Sequence, residues 1–377
     1  MSETPNRERL PALDGLRGFA ALSVVLLHLT SQVHAPSLPA HAIKRIFSFG
    51  WTGVDLFFVL SGFLITGLLV TAKGSTNYFR VFYARRTLRI LPLYYAALIV
   101  LFGVPLIVTL PQNLVVPWRD QLWFWFYFQN YHWLGDQFAG WTGHLWSLAI
   151  EEQFYLVWPL VILLASRKQA LWVCLGLLLV GVSYRTYAWN TFPRLDTYYF
   201  TQARMDGLAI GSAIALLSGE REWLSRLRST APVVAMIGVI VFGIISFNLF
   251  GLRHRLAPLT FTSIDFFYAS ALVVALEDTP RRTAAILRSR FLRFYGRYSY
   301  ALYVIHVPAM PVMSHFGVNI ETLSIGGSVL AGLLLYIAIV LPVVTILAWL
   351  SWHLFEKHFL KLKGNFVYTK DNGTQKA

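Results

Sequence analysis

The stretch Trp51–Thr71, WTGVDLFFVLSGFLITGLLVT, is apolar along its length apart from one ionisable side chain, Asp55. A bilayer's hydrocarbon core takes about 20 such residues as helix. Backbone groups in lipid must pair within their own segment, so the stretch reads as a spanning helix rather than a lone strand. Runs of the same kind recur at 14–34, 90–110, 144–165, 169–189, 196–217, 231–250, 258–276, 295–316 and 326–352. The chain is therefore expected to be an all-α polytopic membrane protein, a bundle of about ten transmembrane helices, with Pro159 and Pro342 as candidate kinks.

Composition agrees with that solvent. The chain is 56% hydrophobic and 13% charged, against ~25% charged in soluble domains. Its 16% aromatic content suits two interfacial belts. The formal charge of +14 does not point to nucleic acid, because the bases lie between apolar runs instead of on a soluble face. With the N-terminus inside, 24 of the 32 Lys and Arg residues fall on inner segments and seven, Arg185 among them, on outer ones. This excess places both termini in the cytoplasm. Phe19–Leu29 resembles a signal-peptide core, but the cleavage-like Ala40-His41-Ala42 lies too far beyond it, so it reads as a retained first helix.

No connection is long enough for a soluble catalytic domain. The longest, 111–143, carries Trp118, Trp123, Trp125, Trp133 and Trp141. It is expected to be a re-entrant or interfacial outer segment, either an aromatic belt or a surface that stacks on sugar rings. The division expected is a membrane domain over 8–360 and a polar cytoplasmic tail over 361–377, disordered beyond Leu362. The single cysteine, Cys174, reads as a small buried hydrophobe.

Any chemistry must then lie inside the bundle, where ionisable groups are costly and default to functional candidates. They are Asp14, Arg17, His28, Asp55, Glu151, Glu152, Arg204, Asp206, Asp265 and His306. Arg17 and His28 are eleven residues apart, on nearly the same helix face and ~16 Å apart along the axis. His144, Ser147 and Glu151 share a face at heptad spacing. Two polar layers follow: a cytosolic one of Arg17, Arg85, Arg86 and Arg89, and an outer-half cluster of His28, Glu151, Arg204 and Asp206. Asp55 is nearer the outer surface and His306 near mid-membrane.

These residues sit in segments that resemble the acyltransferase 3 family of bacterial integral-membrane O-acyltransferases across nearly the whole chain. The segments are Leu13-Asp14-Gly15-Leu16-Arg17-Gly18 with His28 completing an R-x10-H pattern, Gly53–Ile65, and Arg86-Thr87-Leu88-Arg89. His144-Leu145-Trp146-Ser147-Leu148 follows, leading to Glu151-Glu152-Gln153-Phe154-Tyr155, then Arg204-Met205-Asp206-Gly207 and Tyr298–His306. The resemblance implies a stand-alone membrane domain that moves an acyl group, acetyl in many members, from acyl-CoA to a hydroxyl of an envelope glycan or related carbohydrate. It also allows a separate periplasmic hydrolase-like or polysaccharide-assembly partner.

Each residue carries an ordinary reading beside the functional one. Arg17 either holds a CoA phosphate or pairs with Asp14 at i,i+3. Arg86 and Arg89 either grip a diphosphate through guanidinium forks or mark topology. His28 is either a proton acceptor or a packing histidine. Glu151 either orients His28 or polarises the acceptor, or it braces helices. Asp14, Asp55, His144, Arg204, Asp206 and His306 are read as substrate contacts or as support for the site.

A hydroxyl is a poor nucleophile until a base takes its proton, and neutral His has a suitable pKa. His28 is the expected base, with an acyl-His intermediate as the variant. There is no G-x-S-x-G elbow, and no metal is invoked because no set has metal-ligand spacing. The rival classes are a glycolipid transporter or flippase, and a non-catalytic partner of an envelope-polysaccharide complex.

Overall fold

The computed structural model describes residues 11–31, 38–109, 111–132, 140–192, 197–276 and 282–369. Among them the chain forms α1 (Pro11–Ser31), α2 (Leu38–Ser48), α3 (Gly53–Ala72), α4 (Tyr78–Gly103), α5 (Trp118–Trp125), α6 (Gln129–His132), α7 (Trp146–Leu164) and α8 (Arg167–Thr191). It continues with α9 (Thr201–Leu217), α10 (Arg221–Ser246), α11 (Arg253–Leu256), α12 (Thr260–Ala275), α13 (Arg282–Leu287), α14 (Arg290–His315), α15 (Val329–Ser351) and α16 (Lys357–Lys361). A long helix stands at each of the ten expected spans, and α7 and α15 continue through Pro159 and Pro342. Among the described residues, eight helical stretches are long and apolar enough to cross a membrane. The other two long helices are α9, with 17 residues, and α14, which opens on Arg290, Arg293 and Arg297.

Helix starts follow local chemistry. Ser166 and Gln169 form a reciprocal capping box at α8, which satisfies two N–H groups that no helical carbonyl reaches. Ser289 and Ser328 cap α14 and α15 through backbone N–H groups of Leu292 and Ala331. At the opposite pole of α7, the Lys73 ammonium donates to the carbonyls of Ile162 and Ala165 at 2.8 and 2.7 Å, where a cation suits a helix C-terminus.

In lipid, helices gain little by burying apolar surface against each other, so close backbone approach at small residues decides which pair. α1 lies along α14, and α3 along α9. A Cβ placed on Gly18 would sit 1.9 Å from the Leu292 carbonyl oxygen, and one on Gly296 1.8 Å from that of Asp14. Those two glycines let α1 and α14 touch. Gly296→Ala should therefore force the pair apart and cost about 1–3 kcal/mol, the usual range for overpacking. Thermal unfolding of the detergent-solubilised protein checks it; an unchanged midpoint would remove the close-contact account.

Three sequence expectations need correction. Arg185, counted on an outer segment, is buried within α8 and ion-paired to Asp206 at 2.8 Å, so it belongs to the bundle interior. The tail is ordered well beyond Leu362: Arg85 Nε donates to the Phe366 carbonyl at 2.7 Å, Asn77 Nδ2 to that of Val367 at 2.8 Å, and the Thr76 N–H to that of Thr369 at 3.0 Å. These bonds dock residues 366–369 on the start of α4; 370–377 lie outside the described residues. His144 is not in the helix of Ser147 and Glu151 but in the 3-10 turn Gly143–Leu145 before it.

The tryptophan-rich connection enters the bundle in part. Gln129 and Asn130 are buried; Gln129 Nε2 donates to the Leu145 carbonyl at 2.8 Å and Asn130 Nδ2 to Thr201 Oγ1 at 2.9 Å. Trp118 is exposed and Trp141 buried, while Trp125 stacks on Tyr95 with ring centres 5.7 Å apart. Trp133 lies outside the described residues. Cys174 is buried, as expected.

Candidate functional site

Two neighbouring cavities hold most of the candidate residues. The first, of about 270 Å³, is lined by Arg17 from α1, Arg86 and Arg89 from α4, Ser61 from α3, and Ser147 and Glu151 from α7. Ser147 and Glu151 do share a face, as their spacing requires. The wall carries three guanidinium groups and one carboxylate. None of Arg17, Arg86 and Arg89 makes an ion pair among the described residues. Arg86 lies over the Tyr155 ring, 5.2 Å from its centre, and Tyr155 hydrogen-bonds Ser61. Arg85 faces the docked tail instead. Cations gathered on a cavity wall, with fork-shaped donors free, suit an anion such as a phosphate.

The second chamber, of about 300 Å³, is lined by His28, His144, Trp51, Trp146 and Tyr198, with Val54 and Tyr303 shared between the two. Three imidazoles meet here. His306 Nδ1 faces the carbonyls of Leu302 and Tyr303 at 3.1 and 2.8 Å. Carbonyls only accept, so Nδ1 carries the hydrogen and Nε2 the lone pair. His28 Nδ1 faces the Val24 carbonyl at 2.9 Å and His306 Nε2 at 3.2 Å. Both partners are acceptors, so His28 Nδ1 must donate. Its Nε2 is then the unprotonated nitrogen, and it makes no hydrogen bond among the described residues. His144 turns Nε2–H to the Val304 carbonyl at 3.2 Å, with its ring 5.2 Å from that of His306.

The placement of Glu151 departs from the sequence reading. It lines the same cavity as Ser61, Arg17, Arg86 and Arg89. It belongs to the arginine chamber, and His306 occupies the place beside His28 that Glu151 was expected to fill. The reason is depth: Ser147 and Glu151 follow His144 by up to two helical turns, which carries the carboxylate away from the histidines. Asp14 lies near Arg17 on α1 as its first charged neighbour.

The other expected members of the outer cluster form a separate buried network. Arg204 pairs with Asp55 at 2.8 Å, and its guanidinium sits 3.9 Å from the ring centre of Phe261 and 4.8 Å from that of Tyr198. Asp206 accepts from Arg185 and, at 2.6 Å, from Thr262. Asp265 is buried beside them. A buried charge is tolerated only when paired, and here the pairs brace α3, α8, α9 and α12. Through Tyr198 and Trp146, Arg204 supports the wall of the histidine chamber without lining it.

Sequence reasoning missed Tyr303. It lay inside a quoted motif, three residues before His306, but nothing in the sequence showed that one ring would border both chambers. Among the described residues, no group of three or more His, Cys, Asp or Glu is arranged to hold a metal ion.

Fold and site together define a polytopic helical membrane protein with a cationic chamber and a histidine chamber that share Val54 and Tyr303 as wall. Residues 10–353 match the family model described as an acyltransferase domain, and the chain belongs to the acyltransferase 3 family. It is 30% identical to the putative peptidoglycan O-acetyltransferase YrhL of Bacillus subtilis, over 94% of this chain and 55% of that protein. Identity to the O-acetyltransferase OatA of Staphylococcus aureus is 29%, over 82% and 52%. For the peptidoglycan O-acetyltransferase OatA of Listeria monocytogenes it is 30%, over 80% and 50%. The chain thus spans about half the length of these curated relatives. No solved structure matches.

Proposed function

We propose that this protein is an O-acetyltransferase of the bacterial cytoplasmic membrane, taking acetyl from acetyl-CoA at the arginine chamber and giving it to a hydroxyl of a cell-wall glycan at the histidine chamber. The observation that carries the reading is on α1: Arg17 and His28, ~16 Å apart along one helix, line the two chambers that meet at Val54 and Tyr303. That span is about the reach of an extended pantetheine arm. The arginines would hold the CoA phosphates, and the thioester would thread to His28.

In the step proposed, His28 Nε2 takes the proton of the acceptor hydroxyl as its oxygen attacks the thioester carbonyl. The tetrahedral intermediate collapses, the C–S bond breaks, and the leaving thiolate takes that proton back from the imidazolium. The products are the acetyl ester and CoA thiol. General-base catalysis needs a lone pair aimed at the substrate, and the tautomer deduced for His28 supports this. The excess of basic residues supports a cytoplasmic arginine side with both termini inside. The names of the relatives support peptidoglycan as the acceptor class. Membership of an acyltransferase family favours this over the transporter and scaffold readings.

The test is a mass comparison of cell-wall glycans from cells with and without the gene, followed by transfer from labelled acetyl-CoA by the reconstituted protein. Acetyl esters lost with the gene and restored by it are expected. Unchanged glycans together with no turnover of acetyl-CoA would overturn the reading.

His306 is assigned a positioning role. His306→Ala removes the acceptor at His28 Nδ1 and releases the ring, which should lower kcat about 10–100-fold, taking as scale the cost of losing a partner that orients a metal-bound imidazole. KM for the donor should not change. A rise in donor KM with kcat intact would place His306 in binding instead.

A further inference from the structure

Tyr303 stands between the two chambers. Its ring lines both, and its hydroxyl joins the 3-10 turn to α7: it donates to the His144 carbonyl at 2.6 Å and accepts from Ser147 Oγ at 2.6 Å. Phe57 of α3 packs edge-on against it, with ring centres 6.2 Å apart. The ring is buried, and His306 lies one turn further along α14 with its centre 5.8 Å away. The side chain is thus latched at its tip to a different helix from its own, on the route between Arg17 and His28.

We infer that Tyr303 is a gate separating the donor chamber from the acceptor chamber, which opens for the thioester arm and otherwise keeps water and ions from crossing. The idea rests on the two-sided reading above, and it adds what that reading requires. A polar channel open at both ends would leak ions and would let water compete with the glycan for the thioester. Two hydrogen bonds at one hydroxyl make a latch weak enough to break, since a protein hydrogen bond is worth little net. The aromatic ring supplies the bulk of the seal. Rotation of a single side chain would connect the chambers without moving a helix.

The experiment reads accessibility, so it needs no donor. In a Cys174→Ala background, His28→Cys is exposed to a small anionic methanethiosulfonate, which the arginine chamber should attract. The reagent is applied from either face, using membrane vesicles of both orientations. With Tyr303 intact, labelling is expected from the histidine face only. With Tyr303→Ala it is expected from both faces, and with Tyr303→Phe, which keeps the ring, from the histidine face only. In a parallel protein that retains His28 and Cys174, the buried Cys174 thiol should stay unlabelled while the bundle is folded. If Tyr303→Ala exposes Cys174, the smaller polar change Tyr303→Ser is read in its place.

Labelling from the arginine face with Tyr303 intact, or none from that face after its ring is removed from a folded bundle, would overturn the gate. As a second readout, Tyr303→Ala should raise severalfold the ratio of acceptor-independent thioester hydrolysis to transfer; an unchanged ratio counts against the gate. Wild-type protein that turns over no acetyl-CoA would count against the transferase reading and leave the labelling result standing.

Discussion

Replacing His28 by Gln is expected to abolish acetyl transfer while the protein still accumulates and still binds donor. Gln keeps polarity and one donor–acceptor pair, so the bond from position 28 to the Val24 carbonyl or to His306 has a substitute. What Gln lacks is a nitrogen that takes up a proton at neutral pH. General-base catalysis contributes about 10²–10⁴-fold, and a loss of that size is expected in kcat with donor affinity intact. The structure sharpens the argument, because His28 Nδ1 is committed to two acceptors and only Nε2 is left for chemistry. A purely packing role makes the opposite forecast: less protein, normal specific activity. Near wild-type turnover by His28→Gln would end the mechanism.

The second large effect is expected on the donor side. Arg86→Ala combined with Arg89→Ala should weaken acetyl-CoA binding by about 10²–10⁴-fold, since a hydrogen bond to a charged group is worth roughly 1.5–3 kcal/mol. Expression and membrane insertion should change little, because among the described residues neither arginine is tied into an ion pair that holds the fold. Lysine at both sites should rescue in part: it restores charge but not the bidentate fork. Affinity is measured on the detergent-solubilised protein. Unchanged affinity in the double alanine variant would reduce these arginines to topology signals. The contrast with His28 is itself informative, because one pair of changes should act on binding and the other change on the chemical step.

Much of this was legible in the residues. The ten helices stand close to where the apolar runs lie, because a bilayer permits one solution for an apolar segment of that length. The common face of Arg17 and His28 follows from helical repeat alone. Arg86 and Arg89, three apart on one helix, likewise had to lie close together. Local periodicity reaches no further. It reports which residues share a helix face and how far apart they are along it, but not which helix faces which.

The failures have that one cause. Glu151 was assigned to His28 by matched depth on different helices, and an error of about two turns sent it to the arginines instead. Arg185, near the outer end of its expected span, was counted as an outer base, and only its pairing with Asp206 of α9 put it in the interior. The tail looked disordered because its composition is polar, yet Asn77, Arg85 and Thr76 bind its backbone.

By itself, then, the sequence determined the solvent, the helices, the family pattern and the pairing of Arg17 with His28 on one helix, all consequences of chemistry within a segment. Only the tertiary structure decided that Gly18 and Gly296 bring α1 against α14. It alone set His306 against His28 and put Tyr303 between the chambers. Those depend on helix pairing, which in lipid is settled by close contact of small residues and by interhelical hydrogen bonds, and these join residues as far apart in the chain as His28 and His306.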